Sequence, residues 1–146
     1  CRHWTDAIFR RLRRLAGFEL YLHVLICAEL IGNVYYRALE SVTGCQRLKV
    51  ICRTLIADEL AHVGYESELI LELRAQKPPA LRTLIRLVHR AFFCGAACAV
   101  WISHRPVLQH AGHTAAGFLR TCLDQYAFHL DPPAGWSGAT AEPRRR

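Results

Sequence analysis

Glu59 and His62 stand three residues apart in Asp58-Glu59-Leu60-Ala61-His62, a spacing that turns both side chains to one face of a helix. One metal ion can then take both. A second acid of chemical interest is Glu29. It lies in Leu25-Ile26-Cys27-Ala28-Glu29-Leu30-Ile31-Gly32, an almost unbroken apolar stretch where an isolated carboxylate is costly to bury and a bound cation removes the cost. Taken singly, each has a plainer reading: Glu29 as a partly exposed residue or the partner of a neighbouring arginine, and Glu-x-x-His as a chance pair. Together they match half the ligand set of four-helix di-iron and di-manganese proteins, which take a Glu from each of two helices and Glu-x-x-His from each of the other two. A Glu helix followed through a short turn by a Glu-x-x-His helix is the antiparallel order such a half-site needs.

The surrounding residues carry a family resemblance. Ala28-Glu29-Leu30-Ile31-Gly32-Asn33-Val34-Tyr35-Tyr36, followed by Asp58 to His62, resembles the second helix pair of ferritin-like di-iron carboxylate proteins. Within that superfamily it is most similar to the demethoxyubiquinone hydroxylase type, whose third and fourth bundle helices have Glu followed by Ile-Gly and a Tyr, then Asp-Glu-Leu-x-His. The resemblance covers Leu20 to Leu73. It implies Glu29 as a bridging or terminal carboxylate, Glu59 as a bridging carboxylate and His62 as a terminal nitrogen ligand. The implied cofactor is two iron ions, with manganese as the alternative, and the implied activity is O2-dependent oxidation or hydroxylation of a small molecule. An iron-storing or iron-buffering protein, and a helical scaffold with vestigial metal residues, are the competing readings.

Two neighbours bear on the ligands. Tyr36 follows Glu29 by seven residues on the same stripe, as a hydrogen-bond donor to a ligand carboxylate, a redox-active phenol or an aromatic core residue. Asp58 points about 100° away from Glu59 on the helical wheel, so it is expected beside the ligands or on the surface rather than on the metal. Glu66 lies about 10 Å along the helix from Glu59, which predicts a surface or ion-pair role.

The other half of the ligand set is missing. Upstream of Glu29 the acids are Asp6 and Glu19, and downstream of Glu72 the next acid is Asp124. Either a helix pair upstream of Cys1 supplies the remaining ligands, which the first residue and the absence of methionine favour, or two copies join their halves about a two-fold axis. In isolation the triad should face partly open solvent, flanked by Leu22, Ile26, Leu55 and Ile56. Helices after Ala80 are then additions outside the bundle, unless the one over Ala80 to Ser103 folds across the site.

The apolar periodicity predicts only helices, and hence an all-α, antiparallel bundle: a ferritin-like half-bundle with additional C-terminal helices. A basic amphipathic helix is expected over Thr5 to Leu15. After a break at Gly17 come helices over Phe18 to Ser41, Gln46 to Ala75 (stopped by Pro78 and Pro79), Ala80 to Ser103 and Thr114 to Leu130. Residues 1–130 read as one helical domain with the motif pair at 18–75, and residues 131–146 as a disordered tail. The apolar run Ala91 to Ile102 is too short for the roughly 20 residues of a membrane span, and reads as a core helix approached closely at Gly95, Ala96, Ala97 and Ala99.

Composition bounds the rest. With 146 residues, 52% of them hydrophobic and 21% charged, the chain can build a sizeable core. Seven cysteines without a Cys-x-x-Cys pair predict reduced thiols, mostly packed as small hydrophobes, in a cytoplasmic protein. Cys94 and Cys98 lack the two further soft ligands that a structural metal site would require. The net charge of +7 comes with no nucleic-acid motif, and the Arg10 to Arg14 segment offers peripheral contact with an anionic inner-membrane surface or a solvated face.

Overall fold

The computed structural model describes the backbone of residues 4–131 and the side chains of residues 17–131. The backbone forms four helices, α1 (Trp4–Val42), α2 (Gln46–Ala75), α3 (Pro79–His110) and α4 (Ala115–Leu130), with no strand among the described residues. The expected break in α1 falls at Gly17, where φ is 76° and ψ 170°, a left-handed conformation that glycine adopts without steric cost. The basic face of Arg10 to Arg14 and the tail from residue 132 lie outside the described side chains.

Each turn has a local cause. Thr43 Oγ1 accepts from the Cys45 N–H at 3.2 Å and tightens the connection from α1 to α2. Pro79 opens α3 at a position whose N–H has no intrahelical partner anyway. Gly112, at φ 85°, closes α3 with the His113 N–H donating back to the Leu108 carbonyl at 3.0 Å, a Schellman arrangement. Thr114 then caps α4 by accepting from the Gly117 N–H at 3.1 Å.

Cross-helix pairs fix the directions. Glu40 with Arg53, Glu29 with His62 and Glu19 with Arg74 run α2 antiparallel to α1. His23 on His89 and Tyr35 on His104 make α3 parallel to α1, and Phe93 on Tyr126 with Trp101 on Phe118 return α4 antiparallel to α3. The result is an up-down-up-down four-helix bundle in which α1 and α4 each contact the other three helices. Its core is Ile26, Leu30, Val63, Ile70, Phe93, Ala97, Phe118, Cys122 and Tyr126. Each large apolar side chain there contributes about 1.5–3 kcal/mol through burial.

The expectation that the helices after Ala80 sit outside the bundle is therefore corrected. α3 and α4 complete it, because Phe118, Cys122 and Tyr126 on α4 and Phe93 and Ala97 on α3 repeat at helical spacing and fill the inner faces of α1 and α2. α3 also runs past its expected end at Ser103. The chain kinks at His104 (φ −118°, ψ 18°), so Pro106 falls in the first turn of a new helical segment, where a missing N–H costs nothing.

By length and composition alone, Gly17–Val42 and Pro79–His110 are long and apolar enough to cross a membrane. The close helix approach expected along α3 is confined to one face. Ala97 is buried, whereas Gly95 and Ala99 are exposed together with Leu84, Leu87, Val88 and Ile102. Of the six described cysteines, all unpaired, Cys27, Cys52 and Cys122 are buried.

Candidate metal centre

α1 and α2 meet with Glu29, Glu59 and His62 on one edge of their interface. Ligand atoms from the three side chains all lie within 4.8 Å of one another. His62 Nδ1 stands 3.8 Å from Glu29 Oε1, with the Glu29 side chain 14% exposed and that of His62 66% exposed. The site is thus a rim: its floor is the helix interface and its outer side is open. Leu22, Ile26 and Ile56 are buried beneath it, and Leu55 is half-buried at its margin.

Glu66, expected in a surface or ion-pair role, is half-buried in this cluster and faces both His62 and Glu29. The separation along α2 from Glu59 is not the distance that matters, because Glu29 projects from the opposing helix between their two turns. When Glu29 carries a proton it donates to the Glu66 carboxylate. With both ionised neither can donate, and Glu29 Oε2 and Glu66 Oε2 are buried without a partner. Burial pushes the Glu29 carboxyl up to about 7, and the Glu66 and Glu59 carboxylates add to the effect. Burial likewise raises Glu66.

No arginine or lysine occurs from Phe18 to Tyr36 on α1, or from Thr54 to Leu73 on α2. Three carboxylates therefore converge with no arginine or lysine on those stretches to balance them. Asp58 is exposed on the outer side of α2, off the triad. Tyr36 is half-buried and packs on the bare backbone of Gly32, where a Cβ would meet its ring at 3.4 Å. It makes no hydrogen bond to the triad among the described residues, and its position is that of an aromatic packing residue.

A second polar cluster lies inside the bundle on the same helix, and sequence reasoning missed it. His23 is fully buried and stacks on His89, with ring centroids 3.9 Å apart and planes 12° from parallel. Its Nε2–H donates to the His89 carbonyl at 3.0 Å, which fixes the neutral tautomer. Arg74 Nη2 donates to His89 Nδ1 at 3.0 Å, and Arg74 Nη1 to the Leu130 carbonyl at 3.2 Å. Glu19 balances the charge, with Oε1 3.5 Å from Arg74 Nε and Oε2 2.7 Å from Lys77 Nζ. Burial, reinforced by His89, lowers His23 to about 3; burial, reinforced by Arg74, lowers His89 to about 4. The visible signal was a histidine in an apolar run, the same kind of signal that singled out Glu29.

No protein family, curated protein or solved structure matches the chain. What fold and site define together is a four-helix bundle with a Glu-Glu-His group able to hold a metal ion on the edge of its first helix pair.

Proposed function

We propose that Glu29, Glu59 and His62 hold a divalent transition metal as half of a ferritin-like, carboxylate-bridged di-metal site, and that the protein is an O2-dependent oxidoreductase using iron, or manganese in its place. The observation that carries this reading is the convergence of three donor atoms from two antiparallel helices at a place without a balancing cation. The donor set fits: two carboxylates and an imidazole suit iron, manganese, cobalt or zinc, and the buried, unpartnered Glu29 Oε2 gains a partner when an ion binds. Iron bound there supplies electron transfer to O2, the chemistry of oxidases and hydroxylases. The protein's own part is to aim Glu59 and His62 from one helical face, bring Glu29 across the interface, and keep a proton on the Glu29–Glu66 pair while no ion is present.

Glu59→Ala tests the reading. Titration with Mn2+ or Co2+ should show affinity falling by about tenfold or more, the scale on which even outer partners of metal ligands act. The helical circular dichroism should be unchanged, because alanine is the better helix former. Unaltered metal affinity in the variant would refute the assignment. An iron store is separated from an oxidase by supplying Fe2+ and O2 and searching for an oxidised organic product: a store consumes O2 and yields none.

A further inference from the structure

The open side of the metal rim carries exposed apolar side chains beside its acids, with Asp58 on the same stripe of α2 as Ile51 and Tyr65, seven residues from each. Phe18 precedes Glu29 by eleven residues and is exposed on the same stripe of α1. On α2, Ile51 precedes His62 by eleven residues and is exposed, and Tyr65 follows it by three with 70% of its surface in solvent. Ala28 is exposed and Gly32 half-exposed where this stripe borders the groove between α1 and α3. α1 thus packs on α2, α3 and α4 and still carries apolar residues on its outer stripe. Three donors also leave a first-row metal short of the four to six ligands it normally takes.

Resting on the metal reading above, we propose that two copies of this chain pair through the rim of α1 and α2 about a two-fold axis, each giving Glu29, Glu59 and His62 to one shared site. A two-fold repeats the same set from the partner and so yields six ligands with Glu-x-x-His on two of four helices. The four ligand carboxylates match two divalent ions in charge, with Glu66 of each copy beside them. Without metal the acids of the two copies face one another with no cation between them, so pairing depends on the ions. The footprint suffices. Twenty-six residues of α1 beside α2 cover roughly 39 Å by 20 Å, close to the 800 Å² per partner of an ordinary specific interface.

Sedimentation velocity of the full chain, with and without Mn2+ or Co2+, tests the pairing, with bound metal counted in the same samples. The expected result is a monomer in chelator and a dimer holding two ions when metal is added. Tyr65→Arg, which leaves all three ligands in place, should keep the protein monomeric and weaken metal binding by tenfold or more. Leu84→Lys, on the exposed face of α3, should leave the metal-dependent dimer intact. A monomer that binds metal tightly at every protein concentration, and loses it on Glu59→Ala, overturns the pairing while the metal site stands. A dimer that persists in chelator, or that Leu84→Lys abolishes, overturns it in favour of another surface. Absence of any metal binding by the wild-type chain sinks the metal reading itself, and the pairing with it.

Discussion

α1 carries two polar clusters six residues apart, and they are solved in opposite ways. Around His23 the interior supplies the counter-charges: Arg74 finds two acceptors and an acid, Glu19 finds two cations, and both histidines stay neutral, although His23 Nδ1 is buried without a hydrogen-bond partner. Around Glu29 three carboxylates meet one histidine, and the nearby stretches of both helices lack any arginine or lysine. A buried polar group whose partners are all in the chain is explained by the fold. One whose counter-charge is missing points to something the chain must bind.

The largest expected effect breaks the first cluster. Arg74→Leu removes the donor to His89 and to the Leu130 carbonyl and strands part of the charge on Glu19, so it should cost about 3 kcal/mol or more in urea denaturation followed by circular dichroism. Glu59→Ala in the metal-free protein should change stability by less than about 1 kcal/mol, since no partner within the chain depends on it. Comparable losses for the two variants would erase the distinction between a cluster whose charges balance within the chain and one whose charges do not.

Acidity sharpens the contrast, because the two clusters respond with opposite sign. His23 and His89 have native values near 3 and 4 against an ordinary 6.5, so the unfolded chain takes up protons first as pH falls. Stability from this cluster is present above 6.5 and lost on acidification towards 4 and then 3. The groups facing His23 are Glu19 and Cys27 on α1, Arg74 on α2, His89 on α3 and Tyr126 on α4. Glu29 has a native value near 7 against 4.5, so the native chain holds the proton more tightly. Its contribution is present below 4.5 and lost as pH rises to about 7 in the metal-free protein. Urea midpoints across this range should show Glu29→Gln removing the decline on the alkaline side only. A variant that instead flattens the acid side would reverse the roles given to the two clusters.

The smallest effect concerns Tyr36. Tyr36→Phe keeps the ring on Gly32 and deletes only a hydroxyl that does not touch the triad, so metal affinity should stay within about twofold, well under the 1.4 kcal/mol of a tenfold change. A tenfold loss would restore the hydrogen-bonding role that its position in the stripe first suggested.

What the sequence disclosed follows the range of each signal. The bounds of α2 were legible to the residue, because Gly44 and the Pro78-Pro79 pair punctuate it locally. The triad was legible because a three-residue spacing and an acid in an apolar run are also local features. The place of Glu66 beside Glu29 was not legible, because its distance was taken along one helix whereas Glu29 comes from the other. Arg74 and His23 are 51 positions apart, and their meeting depends on the register of α1 against α2, which no short pattern encodes. Pro106 signalled a helix end, and its real effect was a kink two residues earlier.

The three-residue link between α1 and α2 has a consequence for how the molecule assembles. The largest interface joins neighbours in sequence, so the α1–α2 hairpin closes with little loss of chain entropy and can form early, before α3 returns from the far end. α4 packs on α1 and α2 as well as on α3, so its surface on the first pair exists only once that hairpin is made. The rim carrying Glu29, Glu59 and His62 belongs entirely to the early unit, and its geometry is set before the remainder of the chain has found its place.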